Sequence, residues 1–311
     1  MTPPVSEQTM EAPRPSVAEI KVETPFQRFR SDFFDSGVAT AAFVVLGGIF
    51  FIAIFAPWIS PQNPYDLAQV SVMDSKLPPG EKSMTGMVFY LGTDGAGRDL
   101  LSAMFYGLRI SLGVGVMSGV IAMCIGATIG LVAAYFGGRT DTLIMRIVDI
   151  QLSFPAILVA LILLALLGKG VDKIIVALVV VQWAYYARTV RGSALVERNK
   201  EYIEAATCLA LDHKRILFRH LLPNCLPPLI VVGTIQTAHA ISLEATLSFL
   251  GVGLPVSEPS LGLLIANGFD YMLSHKYWIS FFPGIALLIT IVSINLVGDQ
   301  LRDVLNPRLQ R

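Results

Sequence analysis

Long runs of apolar residues, separated by shorter polar stretches, set the pattern of this chain. Val38–Ile59 and Ile110–Phe136 contain no charged residue. Each exceeds the roughly 20 residues that carry a helix across a hydrocarbon core about 30 Å thick. Ile150–Leu167 is shorter but still apolar, with Asp149 at its edge. Leu226–Gly251 is long enough, although Gln236, His239 and Glu244 interrupt it. Trp278–Val297 forms the last clear run. Ile174–Ala187 is too short alone and crosses only if its helix extends to include Val171 and Val190. The pattern predicts an all-α polytopic membrane protein of six transmembrane helices.

Six crossings return both ends to one side, and the charges give that side a name. With both termini cytoplasmic, the inner segments hold 16 of the 23 Lys and Arg residues. That bias follows the positive-inside rule, whereas dropping the fourth span would separate the Arg188–Arg219 cluster from the C-terminus. The expected organisation is a cytoplasmic tail over 1–36, a first span over 37–59, and an external loop with an amphipathic helix over 60–109. A five-helix core over 110–300 and a cytoplasmic tail over 301–311 complete it. Prolines and polar residues in the first part of the tail predict disorder. Phe26, Phe29, Phe33 and Phe34 then recur at helical spacing beside Arg28 and Arg30, as in a short helix lying on the membrane surface. The first apolar run begins too late and is too long for a cleavable signal, so it is expected to remain as an anchor.

Composition agrees with this picture and narrows the functions. The chain of 311 residues is 54% hydrophobic and 15% charged, with a mean hydropathy of +0.63. A formal net charge of zero supplies no global attraction to nucleic acid. Cys124, Cys208 and Cys225 are too few and too scattered for a disulfide framework or a zinc site. His239 has no second His or Cys at ligand spacing, so no metal is expected.

Two kinds of residue stand out inside the spans. Gly115 and Gly119, then Gly126 and Gly130, place small residues one turn apart on the second span. Such pairs let helix backbones approach closely in lipid, although glycine is also common in membrane helices generally. Gln182, Gln236, His239 and Glu244 are costly in hydrocarbon and should face protein or water, either along a translocation path or in interhelical hydrogen bonds. Pro155 and the pair Pro227–Pro228 read as residues near helix N-termini, where a missing N–H costs little.

The longest basic loop, Arg188–Asn224, carries Glu204-Ala205-Ala206-Thr207-Cys208-Leu209-Ala210 and then His220-Leu221-Leu222-Pro223-Asn224. By the i, i+3, i+4, i+7 rule, Tyr202, Ala205, Ala206 and Leu209 form one small, mostly apolar face. A partner's cleft can close around so narrow a helix, with Glu204 available to pair with a cation. An ordinary alanine-rich connector has the same composition. Between the first two spans, Leu91-Gly92-Thr93-Asp94-Gly95-Ala96-Gly97-Arg98-Asp99 precedes Leu100, Leu101, Met104, Phe105 and Leu108, which share one helical face that Asp99 can cap.

These segments together resemble permeases of the ATP-binding cassette (ABC) importers for dipeptides, oligopeptides and nickel. The likeness is to the second, six-span permease subunit and runs from about Phe33 onward. Its residues are the Leu91–Asp99 run with Tyr106-Gly107-Leu108-Arg109-Ile110-Ser111-Leu112, Arg146–Pro155, Glu244–Gly251 and Gly298–Arg308. The Glu-Ala-Ala segment resembles the family's coupling helix, here expected over about 199–216. Glu204, Ala205, Ala206, Ala210, Leu222 and Pro223 would meet the ATPases. Ala210 replaces the family's Gly, and alanine's helix compatibility predicts a stiffer turn. The resemblance implies a type I importer fold in the bacterial cytoplasmic (inner) membrane and a heterodimer with a second permease subunit. It further implies two cytoplasmic ATPase subunits and an extracytoplasmic substrate-binding protein. No Gly-x4-Gly-Lys-Ser/Thr pattern occurs, so ATP and Mg are expected on the partner subunits and no enzyme activity or cofactor in this chain. A self-contained ion-gradient transporter or channel is the alternative; it predicts an inverted repeat and charged pairs near the midplane. Glu244 sits in a family-like run, which favours a structural or gating role over substrate contact.

Overall fold

The computed structural model describes residues 24–66, 68–83, 86–255 and 258–305, and every regular element among them is helical. The expected disorder over the first residues of the tail lies outside the described residues. Ten helices carry the fold. They are α1 (Pro25–Phe34), α2 (Gly37–Ile59), α3 (Leu100–Phe136), α4 (Gly138–Ser153) and α5 (Ala156–Leu167). Then come α6 (Val171–Arg198), α7 (Glu201–Cys208), α8 (His213–Phe249), α9 (Leu261–Phe269) and α10 (Trp278–Leu305). Of these, α2, α3, α6, α8 and α10 are each long and apolar enough to cross a membrane.

The third crossing departs from the single helix expected over Ile150–Leu167. It is a broken pair, α4 and α5, bent by 90°. Pro155 enforces the break: it disfavours helical dihedrals at Phe154, which is extended (φ −90°, ψ 140°). α5 has 12 residues and so rises only about 18 Å. The weak fourth span is in fact complete, because α6 runs 28 residues to Arg198. The fifth begins earlier than expected, at His213, so Pro227 and Pro228 lie inside α8 rather than at its start. Just upstream, Ile216–Leu221 is wound as a π-helix. Pro223, not the later pair, takes the donor from a carbonyl of this stretch, that of Arg219, and the π-turn lets the rod continue past it.

The amphipathic stretch before the second span is likewise not a separate helix but the first turns of the 37-residue α3. Asp99 does cap it: its carboxylate accepts from the Ser102 amide at 2.9 Å and the Ser102 hydroxyl at 2.5 Å. Burial pushes this carboxyl's pKa up, against the lowering effect of those bonds. α1 begins with a capping box between Thr24 and Gln27. It docks on the chain itself, with Phe33 buried beside Ala42, Val297 and Val304, and the Gln300 side chain donates to the Asp32 carbonyl at 3.1 Å.

α3 is the central rod. A Cβ at Gly126 would lie 2.3 Å from the Trp183 carbonyl oxygen, and one at Gly130 would lie 2.4 Å from that of Ala187. Only glycine permits α3 and α6 to approach so closely. Gly115 and Gly119 face α8 instead, where added carbons would meet Ile241 at 2.5 Å and Thr237 at 3.1 Å. The two pairs thus serve two different partners within the chain.

Opposite α7, the segment between α2 and α3 folds into a tight collar. Thr93 donates to the Asp74 carbonyl at 2.6 Å, Ser83 donates to the Asp74 carboxylate at 2.6 Å, and Arg98 donates to Asp94 at 2.8 Å. Gln62 ties the collar to α3 by accepting from the Asp99 amide at 2.7 Å.

Candidate functional site

The segment expected to couple forms as a helix, but a shorter one than expected: α7 covers only Glu201–Cys208. It sits at the end of the bundle where α3 stops and α8 starts. Ile203 and Ala206 are buried, in one apolar cluster with Val190, Ala194, Ile216, Leu217 and Leu221. Glu201, Tyr202, Glu204, Ala205, Cys208 and Leu209 are exposed. Leu209 is 74% exposed. Ala206, expected on the docking face, therefore anchors α7 to its own chain, and Glu204, Ala205 and Leu209 are what remains for a partner. Leu222 is half-buried against the same cluster, and Pro223 is exposed on α8.

A polar network that sequence reasoning did not assign holds α7 in place. The Tyr202 hydroxyl donates to the Glu197 carboxylate at 2.8 Å and accepts from the Asn224 side-chain amide at 3.1 Å. Asn224 also donates to the His220 carbonyl at 2.7 Å, within the stretch where the prolines thin out the donors. Lys200 pairs with Glu197 at 2.7 Å. Burial, then the Glu197 hydrogen bond, push the Tyr202 phenol up to about 12. It therefore stays a donor throughout the physiological range. Arg198 donates to the Ala134 carbonyl at 2.8 Å and satisfies an orphan acceptor at the end of α3. Tyr135 of α3 hydrogen-bonds His213 of α8 at 2.7 Å. The signal for these residues was their polarity beside an amphipathic helix, which does not reveal pairing without the fold.

Ala210 behaves differently from the expectation. It lies beyond the helix, in the left-handed region with φ +50°. Its amide donates to the Thr207 carbonyl at 2.9 Å, and the Leu211 amide donates to the Ala206 carbonyl at 3.2 Å. This pair of bonds is a Schellman motif with alanine at the position usually given to glycine. The methyl group does not stiffen a helical turn; it strains a left-handed one, at a cost of about 1 kcal/mol.

Of the polar residues inside the spans, three turn inward and one turns outward. Glu244 is fully buried and accepts from Ser111 of α3 at 2.9 Å and from Ser248 at 2.7 Å. Ser260, the N-cap of α9, bonds it as well. Glu244 thereby joins α3, α8 and α9 and touches no open channel within this chain. Gln182 is buried with neither amide atom paired among the described residues, and the Gln236 side-chain nitrogen is likewise unpaired. His239 is exposed and shares a face of α8 with Ile235, Ser242, Thr246 and Phe249. The i, i+3, i+7 spacing of His239, Ser242 and Thr246 was visible in the sequence, but hydroxyl residues are common enough in membrane helices to hide it. On α4, Asp141 takes both hydrogen bonds of Arg191, at 2.5 and 2.6 Å, and Asp149 pairs with Arg188. Among the described residues no group of three His, Cys, Asp or Glu side chains is placed to hold a metal ion.

Comparisons with known proteins agree with this architecture. Residues 126–311 match the family model described as binding-protein-dependent transport system inner membrane component. Residues 24–79 match that of the N-terminal transmembrane domain of oligopeptide transport permease C. A protein of Brucella suis named as a peptide transport system permease is 42% identical over 93% of this chain and 92% of its own length. The di/tripeptide transport system permease DppC of Pseudomonas aeruginosa is 36% identical over 92% and 93%. A solved inward-facing structure of the MetNI methionine ABC transporter shares the fold, with a TM-score of 0.55, 23% identity, and coverage of 67% of this chain and 98% of that one. The chain is thus a multi-pass transport permease subunit rather than an enzyme, and it belongs to the family of inner membrane components of binding-protein-dependent transport systems.

Proposed function

We propose that this chain is one half of the membrane pore of an ATP-driven importer for dipeptides, oligopeptides or closely related solutes. The observation that carries the coupling assignment is α7 itself: a helix packed on its own chain by Ile203 and Ala206, with Glu204, Ala205 and Leu209 left uncovered among basic residues. A cytoplasmic ATPase grips that face. Glu204 pairs with a cation of the ATPase, while Ala205, Ala210, Leu222 and Pro223 keep the approach narrow. The relatives named as peptide permeases support the substrate class. Both termini lie in the cytoplasm, as the distribution of Lys and Arg favours, and the membrane is the bacterial cytoplasmic one.

The working complex contains a second permease subunit, two ATPase subunits that bind ATP and Mg, and an extracytoplasmic binding protein. Closure of the ATPases moves α7, and the pore exchanges access between the two sides as a two-state element. His239 faces the path, Gln182 and Gln236 lie behind it, and Glu244 holds the outer ends of α3, α8 and α9 together. The test is Glu204→Lys in cells that depend on this chain for uptake of a radiolabelled dipeptide. Uptake and ATPase recovery with the tagged chain are expected to fall to background while membrane insertion stays normal. Unchanged uptake would remove α7 from the mechanism.

A further inference from the structure

The end of the bundle opposite α7 contains a cavity of about 660 Å³ that the coupling mechanism does not use. It lies between the first turns of α3, the first turn of α6 and the collar. Its lining includes Tyr65, Tyr106, Arg109, Met117, Ile175 and Glu258. The volume falls within the roughly 300–1,000 Å³ of small-ligand sites, and the mix of mostly apolar walls with a few charged groups is the mix such sites use.

Its two charges are opposite in sign, and neither Arg109 nor Glu258 forms an ion pair with any described residue. Arg109 is exposed and Glu258 half-exposed, so both can reach a ligand in the cavity. The wall between them is built. Tyr65 and Tyr106 pack edge to face, with centroids 5.1 Å apart. The collar residue Gln62 fixes the loop that carries Tyr65: its amide accepts from Asp99 at 2.7 Å and donates to the Gln69 carbonyl at 2.6 Å, and its backbone N–H donates to Ser102 at 3.1 Å. Burial raises the Tyr65 phenol to about 12, Glu258 adds to the rise, and Arg109 opposes it. Both charges therefore act on the same spot. Such a site offers a guanidinium for an anion, a carboxylate for a cation and aromatic edges for apolar groups between them.

We infer that this cavity binds a small zwitterion, its anionic group on Arg109 and its ammonium on Glu258, and that in the working importer this ligand is a short peptide with both termini free. The peptide identity rests on the proposed function; the charge reading of the cavity does not. A phosphatidylethanolamine headgroup carries the same pair of charges, so the experiment has to separate the two sources.

The complex that co-purifies with the full chain, without binding protein, is placed in nanodiscs of phosphatidylcholine and phosphatidylglycerol. It is photolysed with the dipeptide alanyl-p-benzoylphenylalanine, and adducts are mapped by mass spectrometry. Adducts are expected on the α3 segment around Met117. Probes with an acetylated amine or an amidated carboxylate should label at least about tenfold less, the scale of one charge-assisted hydrogen bond. Arg109→Gln should abolish the preference for a free carboxylate and Glu258→Gln the preference for a free amine, while Arg109→Lys keeps most of the former. Three results overturn the inference: equal labelling by blocked probes, adducts confined to a partner chain that fills the cavity, or no labelling of α3. Loss of labelling when phosphatidylethanolamine is added assigns the site to the headgroup and overturns the peptide. Charge-dependent labelling by a complex that imports no peptide in cells would keep the cavity and overturn the proposed function instead. Peptide import with charge-independent labelling would do the reverse.

Discussion

The seam between α3 and α6 and the attachment of α7 solve the same problem, holding one helix against another, by opposite means. At the seam, backbone meets backbone, and Gly126 and Gly130 leave no room for a single added carbon. At α7, two side chains, Ile203 and Ala206, and one tyrosine-centred network do the holding, and the rest of the helix is bare. Close-packed interiors transmit strain and tolerate little change in volume. A helix held on one edge by a few apolar atoms and a small, partly exposed polar network yields to modest force. The difference places rigidity in the spans and compliance at α7, the helix proposed to meet an ATPase.

The contrast is sharpest at the seam. Gly126→Leu should prevent stable packing of α3 on α6, and the detergent-extracted protein should lose its single monodisperse peak. Gly113→Leu, on a face of the same helix with open space around it, should keep that peak. Equal behaviour of the two variants would break the comparison. At α7, Ala205→Trp should leave folding intact and abolish uptake by filling the exposed face, measured as dipeptide transport against immunoblotted membrane levels. A smaller loss is expected for Ile203→Ala, which removes buried atoms worth about 2–4 kcal/mol locally. Protease sensitivity near Lys200 should rise with no change in thermal unfolding of the spans. Tyr202→Phe removes one hydrogen bond to a carboxylate and should cost about 1.5 kcal/mol of α7 anchoring, read as a severalfold fall in uptake. The smallest effect is a gain: Ala210→Gly should relieve about 1 kcal/mol of left-handed strain, slowing hydrogen exchange at the Leu211 amide. Faster exchange there would contradict the Schellman geometry.

Much of the bundle was legible because lipid enforces a length. Val38–Ile59 differs from α2 by one residue at its start, and the expected inclusion of Val171 and Val190 in the fourth span is met by α6. That span looked weak because Arg188, Arg191 and Arg198 continue the same helix beyond its apolar part, and hydropathy cannot follow a helix into polar surroundings. The third span was misread for the converse reason. Gln151 and Ser153 interrupt the apolar run too mildly to end it, and Pro155 reads as lying near the start of one helix, whereas it is the N-cap of a second one. At α7 the periodicity was right and one edge of the face was misplaced. Tyr202, Ala205 and Leu209 are exposed as expected, whereas Ala206 turns inward beside the larger apolar residue, Ile203. The Tyr202–Glu197–Asn224 network joins residues up to 27 positions apart in sequence, and nothing local announces it. The role of Ala210 was missed because helix propensity was applied to a residue that stands two positions beyond the last residue of the helix.

The continuity of α8 has a mechanical consequence. Its first turns bear the weight of α7, and about 45 Å further along Glu244 fastens the same rod to α3 and α9. A displacement applied at one end has no loop in which to dissipate before it reaches the other. In the proposed mechanism the single irregular stretch, the π-wound Ile216–Leu221, would be the joint of a push-rod: its stiffness would set how much of an ATPase's stroke arrives at the far side of the membrane.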